Sequence, residues 1–333
     1  MTDSLSVVIP CRATEPGLGV TLESVREACL HQELPAGLVG ELLICINGIR
    51  PGEACVPLAA VREFCRQYGV RCEEIWLDGP TERLAPSPFR PFAPSSHQSV
   101  PFPRCTILLT ERKGKPPAWN ALWQHALGTL VLFSDADVRV DRDAVHTLYT
   151  RMEQEPTLHL VAAREVPFLP DGGTLWGRMG AIPYRFDFGN AGGRLLLLRK
   201  VVLPNGIPDN LLLEDAWLTV AVGRAHVAKE LNAQVFFVPP MTWRDYFAER
   251  IRTEGGKLQI LREHSELLAE GPIAQYRWSH FWRGLSCADY PLVLLSLAIR
   301  GVARGWARLA LTRTDFYSLY RPFSSTKEWG GKR

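Results

Sequence analysis

The segment Leu130-Val131-Leu132-Phe133-Ser134-Asp135-Ala136-Asp137 joins an apolar, partly β-branched run to two carboxylates separated by one alanine. Such a run predicts a buried strand. Side chains alternate along an extended chain, so Asp135 and Asp137 are expected to leave its carboxyl end on one side. Paired hard-oxygen ligands at the crevice end of a sheet suit Mg²⁺ or Mn²⁺ shared with a diphosphate. Taken alone, Asp-x-Asp is equally an acidic turn that ends a strand.

Two further segments carry related chemistry. In Lys113-Gly114-Lys115-Pro116-Pro117-Ala118-Trp119-Asn120-Ala121-Leu122, cations precede a helix start, where free N–H groups and the helix dipole favour an anion. There Lys115 is placed to pair with a diphosphate, and Asn120 to hold the loop by side-chain hydrogen bonds. A solvated loop before a helix is the competing reading. Leu212-Leu213-Glu214-Asp215-Ala216-Trp217-Leu218 sets two carboxylates at the head of an amphipathic run, Ala216 to Val222. Acidic residues in a first turn also stabilise the helix dipole, so Glu214 and Asp215 suit capping as well as catalysis. Between these segments, the glycines of Phe188 to Arg194 suit either close substrate approach or a plain hairpin turn.

These groups need a scaffold, and the pattern around them supplies one. Ser4 to Pro10 predicts a first strand stopped by proline, and Cys11 to Gly19 a turn-rich loop. Thr21 to Leu30 has helical spacing. Glu41 to Ile46 is a second strand ending at Asn47-Gly48, Val56 to Tyr68 a helix, and Val70 to Leu77 a third strand ending at Asp78. Cys105 to Leu109 resumes as strand, with a helix over Trp119 to Ala126. Strands alternating with helices predict an α/β fold with a parallel, doubly wound sheet. Residues 80–104 interrupt it as a proline-rich surface insertion, read as a tolerated loop or a lid.

A composition with 46% hydrophobic and 22% charged residues is that of a globular chain, not a disordered one. The net charge of +3 is too small to argue for nucleic acid as a partner. The cysteines show no Cys-x-x-Cys pair and no metal-ligand cadence with histidine, and reduced structural thiols are expected. No basic leader precedes the first strand, and no apolar stretch approaches the roughly 20 residues of a membrane span. A cytoplasmic protein is expected, attached to a membrane only at its inner surface if at all.

In this order and setting, the Lys113–Leu122, Leu130–Asp137 and Leu212–Leu218 segments resemble those of a family 2 glycosyltransferase of the bacterial kind. The resemblance covers about the first three-quarters of the chain. It implies the GT-A fold, a Rossmann-like, mostly parallel central sheet flanked by helices, over residues 1–245, with a C-terminal helical region over 246–333. It implies inverting, divalent-metal-dependent transfer of a sugar from a nucleoside-diphosphate sugar, UDP-linked by preference, to an acceptor hydroxyl. That acceptor is lipid-linked or part of a cell-surface glycan. Asp135 and Asp137 become metal residues, with Asp135 also near the donor, and Asp215 the general base supported by Glu214. Pro10, Arg12 and Glu15 resemble the family's approach to the nucleotide pocket; Asn47 stands where many relatives have aspartate, and Asp78 is placed for base or ribose. Arg250, Arg252 and Lys257, in Trp243–Lys257, are candidates to neutralise the leaving diphosphate. Glu249-Arg250-Ile251-Arg252-Thr253 lacks the tryptophan that follows the family's arginine there, which weighs against a processive polymerase.

Two other readings compete. A nucleotidyltransferase of related fold opens with a Gly-rich loop after the first strand, and Cys11 to Gly19 is not one. An inactive binding or scaffold subunit needs no set of three carboxylates. Beyond the family's core, the run from Pro291 predicts a helix on which Arg300, Arg304 and Arg308 form one stripe and Leu295, Val302, Trp306 and Leu309 another. Over residues 291–311 this pattern suits an anionic membrane interface or a helix packed on the catalytic domain or on a second copy, in a homodimer.

Overall fold

The computed structural model describes residues 3–31, 33–78, 101–186, 191–268 and 278–312. The first half contains β1 (Leu5–Arg12), α1 (Leu18–Cys29), β2 (Val39–Asn47), α2 (Val56–Tyr68), β3 (Arg71–Trp76), β4 (Arg104–Thr110), α3 (Lys115–His125), β5 (Leu130–Ser134), β6 (Val138–Val140) and α4 (Ala144–Gln154). After them come β7 (Leu160–Pro167), α5 (Leu175–Ala181), β8 (Leu195–Arg199), α6 (Glu214–Ala221), β9 (Val227–Phe237), α7 (Trp243–Glu263), α8 (Trp278–Arg283) and α9 (Asp289–Leu311). These elements form two compact units. One draws on residues 1–164, 192–209 and 230–235, the other on 165–191, 210–229 and 236 onward. Most of the 80–104 insertion and residues 187–190 of the glycine segment lie outside the described residues.

The first unit is built on a sheet whose described strands run in the order β3-β4-β2-β1-β5-β8-β7-β9-β6. From β3 to β5 neighbours are parallel, and β8 is antiparallel to both β5 and β7. The apolar runs of β1, β2, β4 and β5 are buried almost completely, as central parallel strands covered by helices must be. The α2 helix spans the residues its spacing predicts and ends at Gly69, whose φ of 66° is left-handed and whose N–H donates to Cys65 O. Trp119 of α3 lies flat on Phe133 of β5 at 4.2 Å between ring centres, and Trp123 stacks on Trp119 at 4.8 Å. Trp123 Nε1 donates to Leu203 O at 2.8 Å, so its burial leaves no polar atom stranded. This stack fixes α3 against the strand that carries the two carboxylates.

Three local expectations are corrected. Pro10 does not stop β1, which continues to Arg12. The ladder to β5 ends at Val8, so at Pro10 the strand pairs with β2 alone, where a proline is tolerated. The α1 helix starts at Leu18 rather than Thr21, with Glu15 Oε1 accepting the Gly17 N–H at 3.1 Å ahead of it. The α3 helix starts at Lys115, four residues before Trp119, because Pro116 and Pro117 occupy the first turn, where no N–H is needed.

In the second unit, α7 and α9 pack together. Ala303 joins Leu212 and Ile251 in one buried cluster, and Val293 joins Ile182 and Leu285 in another. Tyr246 Oη and Ser296 Oγ are 2.7 Å apart, and Arg300 reaches Glu254 at 3.2 Å. The face of α9 turned to α7 is therefore built from small residues, a serine and Arg300. Its apolar stripe points away: Leu294, Val302 and Leu309 are 61%, 63% and 65% exposed, with Trp306 at 44%. Among the described residues that stripe is exposed, and Arg300, bonded to Glu254, leaves the solvent-facing arginine row. Among the described residues no helix is long and apolar enough to cross a membrane.

Candidate active site

The strand β5 ends at Ser134, and Asp135 to Asp137 form the turn into β6. The extended alternation expected of the two aspartates is thus replaced by a turn, because the chain leaves the centre of the sheet for its far edge. The turn is held from both sides. Asp135 N–H donates to Arg194 O at 2.8 Å, one step beyond the Ser134–Leu195 pairing of the β5–β8 ladder. On the other side, Thr21 of α1 donates its hydroxyl to Val138 O at 2.7 Å and accepts from Val138 N–H at 3.1 Å. Ser24 Oγ accepts from Val140 N–H at 3.1 Å. Two helix hydroxyls therefore do for β6 what a neighbouring strand would do, and they set where Asp137 stands.

Around this turn the charges are unequal. Lys115 Nζ contacts Asp135 Oδ1 at 2.6 Å. Asp137 retains some surface within dense surroundings, and its pKa is raised, first by burial and then by the charge of Asp135. Arg194, Lys115 and Arg12 pull the other way. The loop before α1 lies against the turn: a Cβ on Gly17 would sit 3.3 Å from Glu15 Oε1 and 3.4 Å from Asp137 Cα. Arg12, Glu15, Lys115, Asp135, Asp137 and Arg194 thus belong to one cluster at the carboxyl ends of β1 and β5.

The other residues expected near the nucleotide act on the framework of this cluster. Buried Asn47 donates to Cys11 O at 2.9 Å and accepts from Gly114 N–H at 3.4 Å, tying the end of β1 to the loop that presents Lys115. Asp78 Oδ2 accepts from Thr110 Oγ1 and from Glu111 N–H, both at 2.6 Å, and so anchors the end of β4. Asn120 donates to Ile207 O and Asp209 Oδ1, both at 2.7 Å, and accepts from Ile207 N–H at 2.9 Å. Its amide holds residues 207–209. Pro10 is a buried residue of β1.

In the second unit, Glu214 and Asp215 open α6, whose N-cap is Leu213 and supplies no side-chain bond. Asp215 Oδ1 accepts from Ala216 N–H at 2.8 Å, and Glu214 is buried. The preceding segment is clamped by α7. Fully buried Gln259 accepts from Leu212 N–H at 3.0 Å and donates to Asn210 O at 2.9 Å. A Cβ on Gly256 would lie 2.6 Å from Leu213 Cβ, so glycine is what lets α7 approach so closely. The cations of α7 are turned to its own acids. Arg250 contacts Glu249 at 3.0 Å and lies over the Tyr246 ring at 5.2 Å. Burial opposes its charge, but Glu249, with Tyr246 and Tyr184, holds its pKa above the usual value. Lys257 contacts Glu254 at 3.2 Å, and that carboxyl, although burial opposes it, is held low by Lys257 and Arg300. Arg252 of the same helix is engaged with neighbouring groups as well.

Residues 60–202 match the family model described as glycosyl transferase family 2. Over that stretch, less than half of the chain, the sequence is similar to the family 2 glycosyltransferases. The matched residues include Lys115, Asp135, Asp137 and Arg194 and end before Glu214. Among solved structures, the mannosyltransferase PcManGT from Pyrobaculum calidifontis, in complex with GDP-Man and Mn²⁺, is similar at 16% identity. That similarity covers 96% of this chain and 85% of that one, with a TM-score of 0.53. TarS 1-349 of S. aureus in complex with UDP-GlcNAc is similar at 13% identity over 94% and 89% of the two chains, with a TM-score of 0.46. No curated protein matches the chain. The fold is that of the GT-A glycosyltransferases, with helices at its C-terminal end.

The donor set of the turn fits a hard divalent cation. Two carboxylates whose mutual repulsion and burial raise the Asp137 pKa are relieved when a cation binds between them. Thr21, Ser24, Arg194 and Gln259 escaped the sequence reading as site residues. The first two look like ordinary helix hydroxyls, and Gln259 is one of many polar residues on α7. Only Arg194 had a signal, a cation following Gly192-Gly193 at the start of β8.

Proposed function

We propose that the chain is an inverting glycosyltransferase that moves a sugar from a nucleoside-diphosphate sugar, UDP-linked in the first instance, to an acceptor hydroxyl. The observation that carries this reading is the turn of Asp135 and Asp137 among Arg12, Lys115 and Arg194 within the family-matched segment. When bound, Mg²⁺ or Mn²⁺ held by Asp137, with Asp135 in support, supplies positive charge to the diphosphate. Arg12, Lys115 and Arg194 add to that charge and favour the diphosphate as it departs. Asp215, at the head of α6, takes the proton of the acceptor hydroxyl while that oxygen bonds to the anomeric carbon. The bond from that carbon to the β-phosphate oxygen breaks, and its electron pair leaves with the nucleoside diphosphate. Gln259 holds the 210–212 segment that leads to Asp215, and Glu214 supports that carboxylate.

A panel of nucleotide sugars, assayed for metal-dependent turnover with the product anomer read by NMR, tests this. Inverted product is expected. Asp215→Asn should keep nucleotide binding and lose about 10²–10⁴-fold in kcat. Retention of configuration, or an unimpaired Asp215→Asn enzyme, rejects the assignment.

The exposed stripe of α9 supports a lipid-linked acceptor met at an anionic membrane surface. Leu294, Val302, Trp306 and Leu309 face outward, and Arg304 and Arg308 are exposed on the same helix. Its one carboxylate, Asp289, is withdrawn into contacts with Ser286 and Arg185. Wild type should co-sediment with anionic vesicles in a salt-sensitive way, and Arg304→Glu/Arg308→Glu should not. Wild type left in the supernatant at low salt removes the membrane from the account.

A further inference from the structure

Three thiols converge at the end of the sheet away from the carboxylate turn. Cys65 stands near the end of α2, while Cys72 and Cys105 are direct partners across the parallel β3–β4 ladder. Their Sγ atoms all lie within 4.8 Å of one another. Cys65 and Cys105 are buried, and Cys72 keeps enough surface to open the cluster to solvent. One turn before Cys65, Arg62 is locked to Glu74 of β3 by two hydrogen bonds of 2.7 and 2.9 Å, which places a cation beside the group. Thiols that merely fill a core have no reason to seek each other from three separate elements.

We propose that Cys65, Cys72 and Cys105 form a three-thiolate site for a thiophilic d¹⁰ cation of the Zn²⁺ class, pinning α2 and β4 to β3. A metal–sulfur distance of about 2.3 Å puts the sulfurs of a tetrahedral site about 3.8 Å apart, so closing the cluster takes sulfur movements of no more than about 1 Å. The open side at Cys72 leaves a fourth position for water. Three thiolates and Zn²⁺ sum to a single negative charge, and up to three thiol protons pass to the buffer on binding. The consequence is structural. Among the described strands β3 is at the edge of the sheet, and the bound cation secures it there.

The test uses the full chain, reduced and freed of metal, titrated with Cd²⁺ and separately melted with Zn²⁺. Wild type is expected to show an ultraviolet sulfur-to-metal charge-transfer band with the amplitude of one sulfur-bound Cd²⁺ per chain, and to gain thermal stability with Zn²⁺ beyond what the carboxylate turn supplies. The band reports sulfur ligands only, so the neighbouring ligand atoms of His31, Glu33 and His146 do not contribute to it. Cys72→Ser, the least buried of the three, should keep its circular dichroism and lose both effects. Cys105→Ala provides a second loss, and Cys55→Ser/Cys287→Ser should retain both. A wild type without the band, or a folded Cys72→Ser protein that keeps it, overturns the site. So does a disulfide mapped within the triad of a chain that takes up no Cd²⁺ once reduced.

Discussion

Glu41 and Asp137 are acidic groups at opposite ends of the same parallel strands, and the protein treats them differently. Glu41 is 3% exposed near the start of β2. One oxygen accepts from Ser6 Oγ and Leu127 N–H, both at 2.6 Å, and the other from Arg104 at 2.8 Å. Ser6 Oγ in turn accepts from Gly128 N–H at 2.8 Å, and a Cβ on Gly128 would sit 2.6 Å from Ser6 N. That network closes the amino ends of β1, β2 and β5, and every partner comes from the chain itself. At the carboxyl ends, Asp137 stands beside a second carboxylate with its pKa raised, ringed by cations that also suit an anion. A carboxylate whose partners are all internal is structural. One whose charge is left incompletely balanced is prepared for a ligand.

Breaking each member should therefore give opposite signatures. Asp137→Asn should lower kcat/KM by at least about 10³-fold, since a lost metal contact removes several kcal/mol of charge stabilisation. The same metal-free variant should melt no lower than wild type, because burial and Asp135 disfavour the charge it removes. Differential scanning calorimetry beside steady-state assays checks both halves. Glu41→Ala should do the reverse, losing about 2–4 kcal/mol in urea unfolding as Ser6 and Leu127 N–H lose their acceptor. Its kcat per folded molecule should stay within about twofold. Gln259→Leu carries the comparison to a neutral buried group. It should cost about 1–3 kcal/mol and also lower kcat, because the segment ahead of Asp215 is released. Smallest is Thr21→Val, which should cost about 1 kcal/mol and raise the metal requirement of the assay with little change in maximal rate.

The strands and helices of the first unit are largely legible in the sequence. Apolar runs marked β2, β4 and β5, α2 was read at its observed bounds, and the acidic turn was found by its ligand chemistry. What was missed depends on pairings that sequence spacing does not encode. Extended geometry at Asp135 and Asp137 was assumed because the run before them is extended. The turn arises because β6 pairs with β9 at the far edge of the sheet and leans on Thr21 and Ser24. The prolines after Lys115 were read as loop, although the first helical turn accepts them. Cys65, Cys72 and Cys105 show no ligand cadence because three elements bring them together. The arginine row of α9 has the period expected of it, but Arg300 turns to Glu254 of α7 while Arg304 and Arg308 stay exposed.

The most direct test of the account is calorimetric titration of UDP into wild type and Asp137→Asn, each with and without Mn²⁺. The account predicts that Mn²⁺ tightens UDP binding to wild type by at least about 10²-fold, a coupling of roughly 3 kcal/mol. It predicts that Asp137→Asn binds UDP with the weaker, metal-independent affinity in both conditions. An equal Mn²⁺ enhancement in the variant, or none in wild type, contradicts the assignment of the Asp135–Asp137 turn as the metal and diphosphate site.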